Sequence, residues 1–159
     1  MTQRSYSGRF RPSYPGKYKG DPTNIIYRSL WERKLMVWCD KNENVLEWGS
    51  EEIIIPYVSP IDNRIHRYFP DFYIKGKTSS GTTKYIVEVK PKAQTLPPKK
   101  GRKTKRLLNE IATYGVNQAK WKAAREYCAD RKMKFMILTS PKKNSRYDCL
   151  SRSKRPSKL

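Results

Sequence analysis

The chain has 159 residues, with 35 Lys and Arg against 14 Asp and Glu and a formal net charge of +21. That length fits one domain with tails, and charge of that size points to a polyanionic partner, nucleic acid first, because counterion release drives such binding. No apolar run approaches the roughly 18 residues of a membrane span, Met1–Tyr6 lacks the apolar stretch of a secretory signal, and Cys39, Cys128 and Cys149 form no CxxC or CxxH pattern, so a reducing compartment without zinc or disulfides is expected.

Residues 1–23 set Arg4, Arg9, Arg11, Lys17 and Lys19 among Ser, Gly and Pro with no hydrophobic period. They predict an extended basic arm outside the core, with Tyr6, Phe10, Tyr14 and Tyr18 available to stack on bases or on a protein neighbour. A disordered leader is the competing reading.

The first helix is predicted over Ser29–Asp40. Trp31, Leu35 and Trp38 recur at the spacing of one buried face, and Ser29-Leu30-Trp31-Glu32 reads as a capping box. Strands are predicted at Val45–Trp48, Glu52–Val58, Arg64–Ile74 and Lys84–Lys90, with turns at Pro60–Asn63 and Gly76–Gly81. Residues 91–105 form a Pro-rich basic loop expected to be mobile. A helix follows over Arg106–Tyr114, Gly115 interrupts it, and Asn117 caps a second helix to Asp130. Lys134–Thr139 is a last strand, and 141–159 is a basic, aperiodic tail. The domain proper is thus expected over 24–140. The order of elements predicts an α/β sandwich around a mixed sheet.

Within this frame, Phe69-Pro70-Asp71-Phe72 and Ile86-Val87-Glu88-Val89-Lys90 carry the chemistry. Side chains alternate along a strand, so Glu88 and Lys90 share one face while Val87 and Val89 enter a core. If the two segments pair, Asp71 meets Glu88 at one end of the sheet with Lys90 beside them. Two carboxylates and an ammonium in one place suit a hard divalent cation and a phosphodiester. The spacing of an acid, any residue and lysine also occurs at Glu32-Arg33-Lys34 and Asp130-Arg131-Lys132, but on predicted helices, where i and i+2 do not face each other.

Each of these residues has a plainer reading. Glu88 and Lys90 also fit a solvated cross-strand ion pair, and Asp71 a turn cap. Pro70 marks an edge or a bulge, where an acidic neighbour needs an offsetting partner. Glu32 is either the capping-box acid or a group that assists a metal or its water. His66, the one histidine, excludes HNH-type chemistry and reads as packed or hydrogen-bonded. Gln118 and Lys120, at the start of the expected last helix, are placed to meet phosphate at a helix N-terminus, with a solvated face the alternative for Lys120.

Asp71 followed by Glu88-Val89-Lys90, after a helix carrying Glu32, resembles the PD-(D/E)XK nuclease superfamily. Longer runs are similar to the head completion nuclease family of T-even-type tailed phages. They include Tyr14-Pro15-Gly16-Lys17-Tyr18-Lys19-Gly20-Asp21-Pro22, Tyr27-Arg28-Ser29-Leu30-Trp31-Glu32, Glu47-Trp48-Gly49-Ser50-Glu51, Arg67-Tyr68-Phe69-Pro70-Asp71 and Glu88-Val89-Lys90-Pro91-Lys92. Further matches are Asn109-Glu110-Ile111, Val116-Asn117 and Lys120-Trp121-Lys122-Ala123-Ala124, so the likeness covers roughly residues 6–140. The basic tail after Pro141 departs from the family's ending, and Pro70 stands at a position that varies there.

The resemblance implies a restriction-endonuclease-like (PD-(D/E)XK) core and a Mg²⁺-dependent DNA endonuclease, with Mn²⁺ as a substitute and no small-molecule cofactor. Asp71, Glu88 and the carbonyl of Val89 would hold the metal. Lys90 would orient the attacking water, and Glu32 would assist, leaving a 5′-phosphate and a 3′-hydroxyl. Lys92, Lys99, Lys100, Arg102, Lys103, Lys105 and Arg106, with Gln118 and Lys120, would grip DNA without reading bases. The setting it implies is phage head completion: DNA ends processed after packaging, head and neck proteins as partners, and residence in the host cytoplasm and then the virion. No membrane partner is expected. A non-catalytic neck protein on a nuclease scaffold and a transposon or repair nuclease are the rival classes.

Overall fold

The computed structural model describes residues 7–140. In chain order its elements are β1 (Gly8–Phe10), β2 (Ile25–Tyr27), α1 (Leu30–Lys41), β3 (Val45–Ser50), β4 (Ile55–Val58), β5 (Ile65–Tyr68), β6 (Phe72–Thr78), β7 (Gly81–Pro91), α2 (Lys105–Asp130) and β8 (Lys134–Ser140). The expected tail over 141–159 lies outside the described residues, as do Met1–Tyr6 and Cys149.

The central sheet has the order β3-β6-β7-β8. Its first three strands are antiparallel, whereas β7 and β8 are parallel and α2 supplies the crossover that parallel neighbours require. Alternation then decides the layers. Trp48, Phe72, Ile74 and Val87 bury one face against Leu35, Met36 and Cys39 of α1. Tyr73 and Ile86 bury the other against Cys128 of α2. A mixed sheet with a helix on each face is the architecture that the order of elements predicts.

Helix α1 starts one residue after its predicted cap. The Glu32 amide donates to Ser29 Oγ at 3.1 Å, as a capping box requires, but the Glu32 carboxylate accepts from the Arg28 amide at 2.8 Å rather than from that of Ser29. Leu35 is fully buried, whereas Trp31 and Trp38 are only half-buried.

Several expectations need correction. Residues 8–23 are packed against the domain, with Phe10 and Tyr18 in its core, rather than forming an arm outside it. β1 pairs with β2, and Phe10 and Tyr18 stand edge-on to Trp48 with ring centroids 5.8 and 4.8 Å away. The buried Asp40 carboxylate anchors the same segment, accepting from the amides of Ser13 at 2.7 Å and Tyr14 at 3.1 Å. These contacts are distant in sequence, so no local period announces them.

The strand predicted over Arg64–Ile74 is two strands in different sheets. β5 forms a hairpin with β4, β6 joins the central sheet, and the chain changes sheets at Phe69-Pro70-Asp71. Pro70 has no N–H for a ladder and disfavours helical backbone before it, and here it is fully buried at the junction. The strand foreseen over Glu52–Val58 is shortened to Ile55–Val58. The turn foreseen over Gly76–Gly81 is tighter than expected: Thr78 pairs with Gly81, and only the glycine's φ of +121° is outside ordinary L-residue backbone.

The segment 91–105, expected as a loop, carries a 3-10 turn at Lys92–Thr95 and ends at the N-cap Thr104. Beyond it, α2 is one continuous helix of 26 residues. Gly115 lies in its interior and does not break it, since a helical glycine costs only about 1 kcal/mol and the flanking turns are packed. Asn117 is therefore a buried helical residue and caps nothing.

Candidate functional site

The register between β6 and β7 pairs Phe72 with Val87, which sets Asp71 across from Glu88 where β6 begins. The Val89 amide donates to Asp71 Oδ2 at 2.7 Å, tying the two segments together. Glu88 is 4% exposed, on the same face of β7 as Ile86 and Lys90. Lys90 Nζ is 3.2 Å from Glu88 Oε1. The Asp71, Glu88 and Lys90 side chains thus converge as the alternation predicts. Asp71 precedes the strand proper, at the change of sheets, and is not a residue of the strand interior.

Electrostatics at this point are crowded. Burial, then the charge of Glu88, pushes the Asp71 carboxyl up to about 7, against the pull of the Val89 amide and of Lys90; Glu32 adds to the rise. Two facing carboxylates with one ammonium leave an excess of negative charge in a poorly solvated place. A hard divalent cation answers that excess, and the oxygen donors of Asp71 and Glu88, with the adjacent main-chain carbonyl of Val89, are of the right chemistry for one. No group of three or more His, Cys, Asp or Glu side chains gathers among the described residues, so an ion here needs main-chain or water oxygens to complete its shell.

Sequence reasoning missed three participants. The Tyr68 hydroxyl donates to Glu88 Oε2 at 2.6 Å, and burial followed by the Glu88 charge raises its phenol strongly. Arg28 and Glu51 form an ion pair, and the Glu51 amide donates to the Asp71 carbonyl at 3.2 Å. Glu51 chiefly, then Glu32 and Asp71, raises the Arg28 guanidinium. Tyr68 sits in the run Arg67–Asp71, but nothing local shows that the change of sheets after it would aim it at Glu88.

Glu32 lies in the first turn of α1, near enough for Asp71 to feel its charge, with one carboxylate oxygen held by the Arg28 amide. Lys92, Lys99, Lys100, Arg102, Lys103, Lys105 and Arg106 are all exposed along the segment leaving β7 and the first turn of α2. Arg106 Nε donates to Glu110 at 3.0 Å. Because α2 is continuous, Gln118 and Lys120 sit in its middle and not at an N-terminus, which corrects the phosphate-binding expectation for both. Lys120 is half-buried instead, with Nζ 5.7 and 5.6 Å from the ring centroids of Tyr57 and Tyr68, a cation–π placement on the tyrosine whose hydroxyl bonds Glu88. His66 pairs with Asp62 at 2.8 Å in the exposed β4–β5 hairpin, the plain role expected of it.

Comparison with known proteins converges on the same region. The model of the family described as TnsA-like endonuclease N terminal matches residues 42–140, a span holding Asp71, Glu88, Val89 and Lys90 but not α1. Domains of that family have a restriction-endonuclease-like fold, in agreement with the sheet and helices found here. The head completion nuclease of Enterobacteria phage T4 is 44% identical over 140 residues, which is 85% of this chain and 91% of that protein.

Proposed function

The chain belongs to the TnsA-like N-terminal endonuclease family, and from that membership we propose that it is a metal-dependent DNA endonuclease of phage head completion, cutting at Asp71, Glu88 and Lys90. The observation that carries the reading is the convergence of two carboxylates and a lysine at the end of a central strand, in a protein with a net charge of +21. The name of the phage T4 relative supports the biological setting.

Asp71, Glu88 and the Val89 carbonyl would hold one divalent ion, Mg²⁺ or in its place Mn²⁺. When bound, such an ion polarises the phosphate and stabilises charge on the leaving oxygen. Around it the protein's own groups have separable tasks. Tyr68 and Lys90 bind opposite oxygens of Glu88 and fix that carboxylate in one orientation. The Val89 amide does the same for Asp71. The Lys90 ammonium, fastened at the site, orients the attacking water and faces the charge that develops on the phosphate. Glu32, already held by the Arg28 amide, assists in ordering the water shell.

DNA is the substrate, gripped through its phosphates by the exposed basic residues between Lys92 and Arg106, so little sequence preference is expected. We place the activity on DNA ends after genome packaging, in the host cytoplasm and then at the head–neck region of the virion, beside neck proteins. An intact catalytic trio argues against a purely structural neck protein. Incubation with supercoiled plasmid and Mg²⁺ tests the reading: wild type should nick and linearise it, and Asp71→Ala and Lys90→Ala should not. Equal cleavage by all three would end the assignment.

A further inference from the structure

Beyond the acidic centre, the chain leaves β7 through Lys90 and Pro91 and folds back along α2, enclosing a cleft of about 680 Å³. Exposed Leu96 forms one wall and half-buried Tyr114 the other, with Gln94 and Asn117 among the lining residues. Asn117 is 6% exposed, yet its side-chain amide makes no hydrogen bond to any described residue. The amide lines the cleft and keeps its donors and acceptor open to whatever enters there. The carboxylate at the rim, Glu110, is taken up by Arg106, so the approach stays basic.

We infer that this cleft seats an unpaired nucleobase of the DNA strand running from the scissile phosphate. The inference rests on the nuclease reading above and deepens it, making a single-stranded end or flap the preferred substrate. Apolar walls and a tyrosine ring offer stacking to any base, and the Asn117 and Gln94 amides offer donors and acceptors to base edges. The volume suits a nucleotide or two, within the ~300–1,000 Å³ of sites that enclose small ligands, and excludes the body of a duplex. Continuity with the centre comes through the chain itself, since only Pro91 and Lys92 separate Lys90 from the residues of the cleft wall.

The test uses the full chain in EDTA, which prevents cutting, with fluorescence anisotropy of labelled duplexes ending blunt, in a short unpaired tail, or in a tail of abasic residues of equal charge. Wild type should bind the base-bearing tail at least about fivefold more tightly than the abasic one, the effect of one stacked base. Tyr114→Ala should remove that difference while leaving blunt-duplex binding unchanged. Leu96→Ser, on the exposed opposite wall, should act likewise and serves where Tyr114→Ala fails to fold. Equal binding of base-bearing and abasic tails by wild type would overturn the inference, as would variants that keep the preference. If wild type cuts plasmid with Mg²⁺ but shows no such preference, the cleft proposal alone fails; if it neither cuts nor binds DNA, the nuclease reading fails.

Discussion

The Tyr68 hydroxyl and the Glu88 carboxylate are joined by a buried 2.6 Å hydrogen bond across the change of sheets, from the last residue of β5 to the middle of the parallel pair. This bond occupies Oε2 and leaves Oε1 to Lys90. The carboxylate therefore has one orientation before any ligand arrives, which is what a preorganised site requires.

Tyr68→Phe removes that donor and leaves a buried charged oxygen unsatisfied. The cost should be about 1–3 kcal/mol of folding stability, measured by urea denaturation, together with a fall in kcat for plasmid cleavage. A variant as stable and as active as wild type would show that the bond does not position Glu88.

Asp71 sets a pH dependence of stability. Its carboxyl is raised from 3.8 to about 7, so the folded protein holds that proton more tightly than the unfolded chain does. The resulting stabilisation is complete below the unfolded value and is lost as pH rises through about 7. In EDTA, wild type should lose on the order of 2–4 kcal/mol from this group between about pH 4 and 8. Asp71→Asn, which carries no charge, should lack that component, be the more stable protein at pH 8 and be inactive. Parallel stability–pH curves for the two proteins would contradict the crowding argument.

Metal should reverse the same penalty. At pH 8, Mg²⁺ at a hundredfold excess over its dissociation constant should stabilise wild type by about 2.7 kcal/mol and leave Asp71→Asn nearly unmoved. Thermal denaturation with and without Mg²⁺ reads both. An equal shift in the two proteins would place the ion elsewhere.

The N-terminal segment is structural. Tyr18→Ala deletes a ring packed on Trp48 and a hydroxyl that donates to Glu52 at 2.9 Å, so it should cost about 3–5 kcal/mol. Were residues 8–23 a solvated arm, the same change would fall within about 0.5 kcal/mol.

Gly115→Ala tests the continuity of α2. A Cβ there would meet Pro60 Cγ at 3.9 Å, an ordinary contact. The substitution should therefore stabilise the protein by about 0.5–1 kcal/mol through helix propensity. A loss of stability would favour a break at this position.

Family membership and the candidate centre were both legible in the residues. Alternation in Ile86–Lys90 predicted which side chains would share a face, and the antiparallel partner beginning at Phe72 was enough to bring Asp71 to Glu88. The first helix, helical structure over most of 106–130 and a mixed sheet also followed from periodicity, which is a property of short windows of chain. Helix interruption at Gly115 and a phosphate-binding N-terminus near Gln118 did not hold, because a local propensity of about 1 kcal/mol yields to packing along the rest of α2.

What the sequence determined by itself is the inventory and its alternation: Glu88 and Lys90 on one face of their strand, Val87 and Val89 on the other, and an excess of positive charge. The tertiary structure alone decided that Tyr68 caps Glu88, that Arg28 and Glu51 flank Asp71, that Phe10 and Tyr18 complete the core around Trp48, and that a cleft opens beside α2. The reason is physical. Strand alternation is set by backbone geometry within a few residues, whereas each of these contacts joins segments 20 or more residues apart, whose meeting depends on the burial of the whole sheet.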